Sequence, residues 1–334
     1  MVWRAFCFNL ARDQARNVYL NRRATLRISL LNITRAGFVD RYNKPKTRTA
    51  AVTALSAWDA FLRDRGLGEA DLFVALRNDP EKNQRYILLD QLVQHWKRTK
   101  SVSSMKTYLY FVKAWLKLND IALDQFKLKE YVRIPKGVRE RRKGIDQNVI
   151  RKILACATNP LYKTMIYVLV SSGMRIGEVL EMRASWIDFG SRPVKITIPG
   201  IHTKTQTDRI TFVTPEAEKW LRDICAGKKP EDRVFPVSYN TALAYIARIR
   251  KKCGFTERGA NGFSTVRIHA FRGFAENRMS RFNPEFAHAM LGHTKDLNSY
   301  YQSGQTDEVA GEDYMKATEF LTIEPAAQKE KAGA

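Results

Sequence analysis

The chain has 334 residues, 44% of them hydrophobic, and sets 57 Lys and Arg against 34 Asp and Glu, for a formal net charge of +23. That length and apolar content suit two ordinary domains with real cores and exclude a disordered chain. A charge this large repels itself unless an anion takes it up, so nucleic acid is the expected partner ahead of a membrane surface. The longest apolar run, MIYVLV at 165–170, is far too short to cross a bilayer.

Residues 1–48 form a basic N-terminal extension in which only Asp13 and Asp40 are acidic. It either touches phosphates or presents a solvated face. Arg4, Asn9 and Arg12 interrupt its start, which therefore lacks the apolar core of a signal peptide. From Thr49 the apolar positions Ala54, Trp58, Phe61 and Leu62 recur at helical spacing. A second helix is expected over 87–96. A third follows the potential caps Ser101, Ser103 and Ser104, with Leu109, Val112, Leu116 and Leu118 inward and Lys106, Lys113 and Lys117 facing elsewhere. Together, 49–134 reads as a helical domain. Next comes RIPKGVRERRKGIDQ at 133–147, with Pro135, Gly137, Gly144 and a run of Arg and Lys but no apolar period. It predicts a basic linker over 135–146.

A helix over 146–157 opens the second domain. A more buried helix follows over 162–171, closed by Gly173 as a left-handed cap. MRIGEVLEMRASWIDF at 174–189 reads as one further helix with Ile176, Val179 and Leu180 inward. RPVKITIPG alternates Val194, Ile196 and Ile198 with polar residues, and DRITFVTPEA reads as its return strand, with HTKTQT in the loop between them. Thr214, Pro215 and Glu216 then supply a cap, a first-position proline and an early acid for another helix. The expected fold is mainly α with a small β-hairpin or sheet in the second domain. The four cysteines, Cys7, Cys156, Cys225 and Cys253, have neither C-x-x-C nor zinc-ligand spacing. They are expected to be reduced core thiols of a cytoplasmic protein.

Three of the five histidines, His269, His288 and His293, fall in one segment of the C-terminal third. In IHAFRGFAENRM, His269 and Arg272 are three apart, so on a helix they share a face and offer an imidazole beside a guanidinium fork. That pair suits a phosphate. His288, on a helix started by Asn283 and Pro284, reads as structural. LGHTKDLNSYYQ at 291–302 then sets a Gly-His pair ahead of two adjacent tyrosines.

The ordered set of GMRIGE at 173–178, a lysine in a hairpin loop, HAFR at 269–272, LGH at 291–293 and a tyrosine soon after resembles the tyrosine recombinases, the phage-type integrases and Xer-like resolvases. The likeness covers about 147–322 through these motifs and extends to about residue 50 through the helical pattern. It implies that Arg175 and Arg272 clamp a scissile phosphate, and that His269 and His293 donate hydrogen bonds to its oxygens. Lys204 would protonate the leaving 5′-hydroxyl, with Lys195 the poorer candidate, and Glu178 would orient the site.

The resemblance further implies a two-domain DNA clamp with a catalytic domain over 147–322. The clamp would act without metal or cofactor on double-stranded DNA, as a homo-tetramer on a synapse of two sites, in the cytoplasm at the nucleoid. Its job would be integration or excision of a mobile element such as a viral or plasmid genome. The family's nucleophile usually follows the LGH histidine by about nine residues; here Tyr300 is seven on and Tyr301 eight. Tyr301 is preferred, because Tyr300 would then fill the packing position that precedes the nucleophile. Tyr314 lies in an amphipathic closing helix over 307–321, which docks either in cis or on a neighbouring subunit, and 323–334 reads as a disordered tail. Two rivals stand beside this reading: a type IB topoisomerase with the same chemistry, and a DNA-binding protein that has lost catalysis.

Overall fold

The computed structural model describes residues 34–137, 144–203, 206–259, 263–292 and 306–324. The chain separates into two compact units, Met1–Arg139 and Glu140–Ala334. The first holds six helices among its described residues: α1 (Arg35–Asp40), α2 (Pro45–Asp64), α3 (Glu69–Asn78), α4 (Gln84–Lys97), α5 (Val102–Leu118) and α6 (Gln125–Tyr131). Their apolar stripes meet in one core around Trp58, Phe61, Leu89, Trp96 and Val112. Ser101 caps α5 by accepting from the Ser104 amide at 3.2 Å, as the sequence suggests. The core begins earlier than the expected Thr49, because Phe38 of α1 is 1% exposed and packs edge-on against Trp115.

One carboxylate ties this unit together. Glu69 Oε1 accepts from the indole N–H of Trp58 at 2.7 Å, from that of Trp115 at 2.9 Å, and from Arg35 Nη2 at 2.9 Å. Arg35 also forks onto Asp59. Helices α1, α2, α3 and α5 thus share one acceptor. Removing it strands two buried indole donors, each at roughly 1–3 kcal/mol. Glu69→Ala should therefore lower the stability of the chain by about 2–4 kcal/mol in denaturant melts followed by tryptophan fluorescence, with Glu69→Gln losing less.

The second unit holds α7 (Gln147–Cys156), α8 (Pro160–Ser172), α9 (Ile176–Glu181), α10 (Pro215–Cys225), α11 (Tyr239–Lys252), α12 (Ile268–Phe282), α13 (Pro284–Leu291) and α14 (Asp307–Leu321). An antiparallel sheet runs in the order β1 (Ile187–Asp188), β2 (Lys195–Ile198), β3 (Arg209–Phe212), with Lys195 opposite Phe212 and Ile198 opposite Arg209. Helix α8 is buried along nearly its whole length and ends, as expected, in Gly173 at φ 63°. The expected long helix over 174–189 is instead cut at Glu181. There the backbone is captured from outside: the Val234 amide donates to Met182 O, and the amides of Ala184 and Ser185 donate to Asp232 O and Pro230 O. These non-local bonds outcompete continuation of the helix and free 187–188 to pair with β2, so the hairpin becomes a three-stranded sheet.

Helix α14 docks on its own unit along α12 and β3, with Tyr314, Ala317 and Leu321 inward. The next residues are gripped rather than loose. Gln147 Nε2 donates to Thr322 O at 2.8 Å, the Ile323 amide donates to Glu216 Oε2 at 2.9 Å, and Tyr167 Oη donates to Glu324 Oε1 at 2.8 Å. Ile323, expected to open a disordered tail, is 1% exposed. Two of the cysteines expected as separate thiols instead face one another: Cys156 at the end of α7 and Cys253 just beyond α11, Cα to Cα 6.5 Å. Among the described residues no helix is long and apolar enough to cross a membrane.

Candidate active site

Two helices of the second unit end in left-handed glycines, Gly173 after α8 and Gly292 after α13. A helix C-terminus leaves carbonyls without partners and carries partial negative charge, so it attracts cations. Here the cations are guanidiniums. Arg272, on α12, donates from Nη1 to Gly173 O at 2.6 Å and from Nη2 to Leu291 O at 2.8 Å. Its side chain lies between the two helix ends and is only 8% exposed. Two of its five N–H donors are committed in this way, which leaves three for an incoming anion.

Arg175 lies two residues past Gly173, at the N-cap of α9 rather than inside a helix. Glu178 caps that helix, accepting the Arg175 amide at 2.8 Å and Arg175 Nη1 at 3.0 Å. The Arg175 side chain keeps 26% of its surface exposed, so it is oriented from below and open above. The second oxygen of Glu178 also accepts from Arg209 Nη2 at 2.5 Å. Burial pushes the Glu178 carboxyl up, but the Arg209 charge and the Arg175 amide and guanidinium outweigh it and hold the group below the ordinary carboxylate range. Its ionised form therefore contributes stability above that range, and the contribution is lost as pH falls through the depressed folded value.

Three guanidiniums thus surround one carboxylate. With Arg209 paired to Glu178, the charges of Arg175 and Arg272 are left for a ligand. Burial, and then the charges of Arg175 and Arg209, pull the Arg272 guanidinium down to about 10. It is still a cation at neutral pH, held in a place that favours an anion beside it. His269 is the second residue of α12. The two residues stand three apart on α12, His269 at the surface and Arg272 in the interior.

The other candidates sort as follows. Lys204, His293, Tyr300 and Tyr301 lie outside the described residues. The hairpin flanks that bracket Lys204 are tied to one another: the Thr207 amide donates to Thr203 Oγ1 at 3.2 Å, and the Gly200 amide donates to Asp208 Oδ1 at 2.5 Å. Lys195 donates to Asp307 at 3.1 Å at the start of α14. Tyr314 is fully buried, and its hydroxyl donates to Ser171 O at 2.9 Å. Burial raises its phenol well above the ordinary value, so it is a packing residue. Among the described residues no group of three or more His, Cys, Asp or Glu is placed to hold a metal ion. The residue that sequence reasoning overlooked is Arg209. Its signal was an arginine opening an otherwise apolar return strand.

The sequence profile of the phage integrase family matches residues 143–304, the stretch that contains both helix ends, Arg175, Arg209 and Arg272. Residues 143–304 are a phage integrase family domain. Tyrosine recombinase XerA of Saccharolobus solfataricus is 29% identical to this chain over 225 residues, 66% of this chain and 69% of that protein. The fold is shared with solved lambda integrase structures. A dimer of its residues 75–356 bound to a COC′ core site is 19% identical, covers 80% of this chain and 95% of that one, and has a TM-score of 0.60. A tetramer bound to a Holliday junction is 16% identical, covers 88% of each chain and has a TM-score of 0.56.

Proposed function

We propose that this chain is a site-specific recombinase that cleaves and rejoins DNA strands through a covalent 3′-phosphotyrosyl link, in the service of a mobile element. The observation that carries the reading is the pair of pre-fixed guanidiniums, Arg175 and Arg272, anchored by Glu178 and by two helix ends. Phosphoryl transfer needs little from a protein beyond positioning and stabilisation of the charge that grows on the phosphate oxygens. A diester carries one negative charge and its five-coordinate transition state two. Two fixed cations match the second better than the first.

In this mechanism Tyr301 Oη loses its proton to water and attacks phosphorus as the bond to the 5′-oxygen breaks, and Lys204 gives that oxygen its proton. His269 and His293 donate to the non-bridging oxygens. Rejoining runs the same steps backward from an incoming 5′-hydroxyl, so the bond energy stays in the phosphotyrosyl ester. Residues 49–134 would serve as the DNA-binding domain, 135–146 as a basic linker and 147–322 as the catalytic domain. The assembly would be a homo-tetramer on two duplexes, as the lambda integrase tetramer on a Holliday junction suggests, in the compartment that holds the DNA.

The test is incubation with a nicked suicide duplex whose core the chain has selected from a randomised pool, read on a denaturing gel. A covalent adduct confined to selected sequences is expected. Relaxation of arbitrary supercoiled DNA would favour the topoisomerase, and tight binding with no adduct on any duplex the binding-only protein. Affinity should fall steeply with salt, because each neutralised phosphate contributes a slope of about −0.9 in log K against log salt. A flat response in mobility shifts between 50 and 200 mM salt, roughly the range over which 6–10 contacts weaken binding by about 10³–10⁵-fold, would contradict a phosphate-gripping protein.

A further inference from the structure

We infer that Arg209 is a positioning residue for strand cleavage, one that fixes the Glu178 carboxylate, and through it Arg175, against the helix end bearing Leu291 and Gly292. The inference rests on the recombinase reading and deepens it. Arg209 opens β3, directly after the hairpin loop. Its Nη2 donates to Glu178 Oε2 at 2.5 Å and its Nη1 to Met290 O at 2.6 Å. Three segments far apart in the chain therefore meet on one guanidinium.

Its side chain is 1% exposed, against 26% for Arg175, and two of its donors are spent on protein acceptors, which sets it behind the groups that face a phosphate. Stability does not explain it either, since an ion pair buried on both sides gains little over apolar packing. Nor is neutralising Glu178 its whole role, because Arg175 also bonds that carboxylate, at 3.0 Å. A further buried cation works against Arg272, whose protonation its charge opposes. What Arg209 supplies and Arg175 does not is geometry, a planar fork spanning a carboxylate and a helix-end carbonyl.

The glycine of the LGH motif is explained by the same side chain. A Cβ on Gly292 would stand 2.6 Å from Arg209 Cδ and 3.0 Å from Nε, at a backbone φ of 71° that already disfavours side chains. Gly292 lets the α13 end close over the Arg209 stem, and the chain then leaves toward His293 from a fixed point.

Arg209→Lys keeps the charge and loses the fork. On the suicide duplex selected by the intact chain, it should bind within about threefold of the intact affinity. It should cleave about 10²-fold more slowly in single-turnover reactions, the size expected for a misplacement of about 1 Å. Cleavage at the intact rate, or a loss no larger than the loss of DNA binding, overturns the inference. Should the lysine variant fail to fold, the double variant Glu178→Gln with Arg209→Met decides, because it removes both members of the buried ion pair. A positioning role predicts a melting temperature near that of the intact chain with cleavage still down by about tenfold or more. Restored cleavage would show a merely neutralising pair. If the intact chain itself forms no adduct, the recombinase reading fails, which is a different result from an active Arg209 variant.

Discussion

Tyr301→Phe should bind duplex DNA as the intact chain does and form no covalent adduct, a fall in cleavage of more than about a thousandfold, while Tyr300→Phe cleaves within about tenfold of the intact rate. Phenylalanine keeps the ring and removes only the oxygen that would attack phosphorus, so packing is preserved and chemistry is not. Three tyrosines follow Gly292 in the sequence: Tyr300, Tyr301 and Tyr314. Tyr314 drops out on physical grounds. Its hydroxyl is spent on Ser171 O at 2.9 Å, and burial pushes its phenol the wrong way for a nucleophile. The remaining two lie in the segment that leaves from Leu291, whose carbonyl Arg272 holds, and re-enters at α14, which packs along the helix carrying Arg272. Denaturing gels on the suicide duplex and mobility shifts on the same DNA check the two variants. Loss of the adduct in Tyr300→Phe with Tyr301→Phe active would reverse the assignment.

What the sequence revealed was local. Helix α8 could be read from an unbroken apolar run and its glycine stop, α5 from a serine cap followed by helical spacing. Helix α11 carried a comparable signal, Ser238 ahead of Ala242, Ile246 and Ile249, with Ser238 accepting from the Thr241 amide at 3.1 Å, and that signal went unread. The break after Glu181 had no local signal, since it depends on backbone groups of residues 230–234. The site divided along the same line. Arg175 and Arg272 stood out because their motifs are short and ordered. Arg209 did not, because an arginine starting a strand looks solvent-facing until its acceptors appear, 31 residues earlier and 81 later in the chain. The i, i+3 argument placed His269 and Arg272 on one face but could not say that the helix edge between them is where exposure ends.

Arg272→Ala should lose strand cleavage by about 10³-fold or more, and Arg272→Lys by about 10²-fold, with duplex affinity much less affected. The two losses differ because Arg272 does two jobs with one plane of donors. It holds the Gly173 and Leu291 carbonyls and has three further N–H groups beyond those two bonds. An ammonium keeps the charge but cannot span both carbonyls and a phosphate. Alanine also strands two buried helix-end carbonyls, so the chain should lose about 2–4 kcal/mol of stability as well. Thermal melts on the same preparations separate that from catalysis: at a temperature where the alanine variant is fully folded, the cleavage deficit should remain. A deficit that vanishes there would reduce Arg272 to a strut between two helices. The pH dependence gives an independent reading. With its guanidinium lowered to about 10 by burial and by the charges of Arg175 and Arg209, Arg272 stays charged through neutral pH and loses its proton only in strong base. In the free enzyme its contribution should therefore be level from pH 6 to about 9 and fall only as pH approaches about 10, and bound phosphate should push that fall higher still. Because single-turnover cleavage at saturating protein reports the bound state, the alkaline limb should appear in binding-limited rates before it appears in saturated ones.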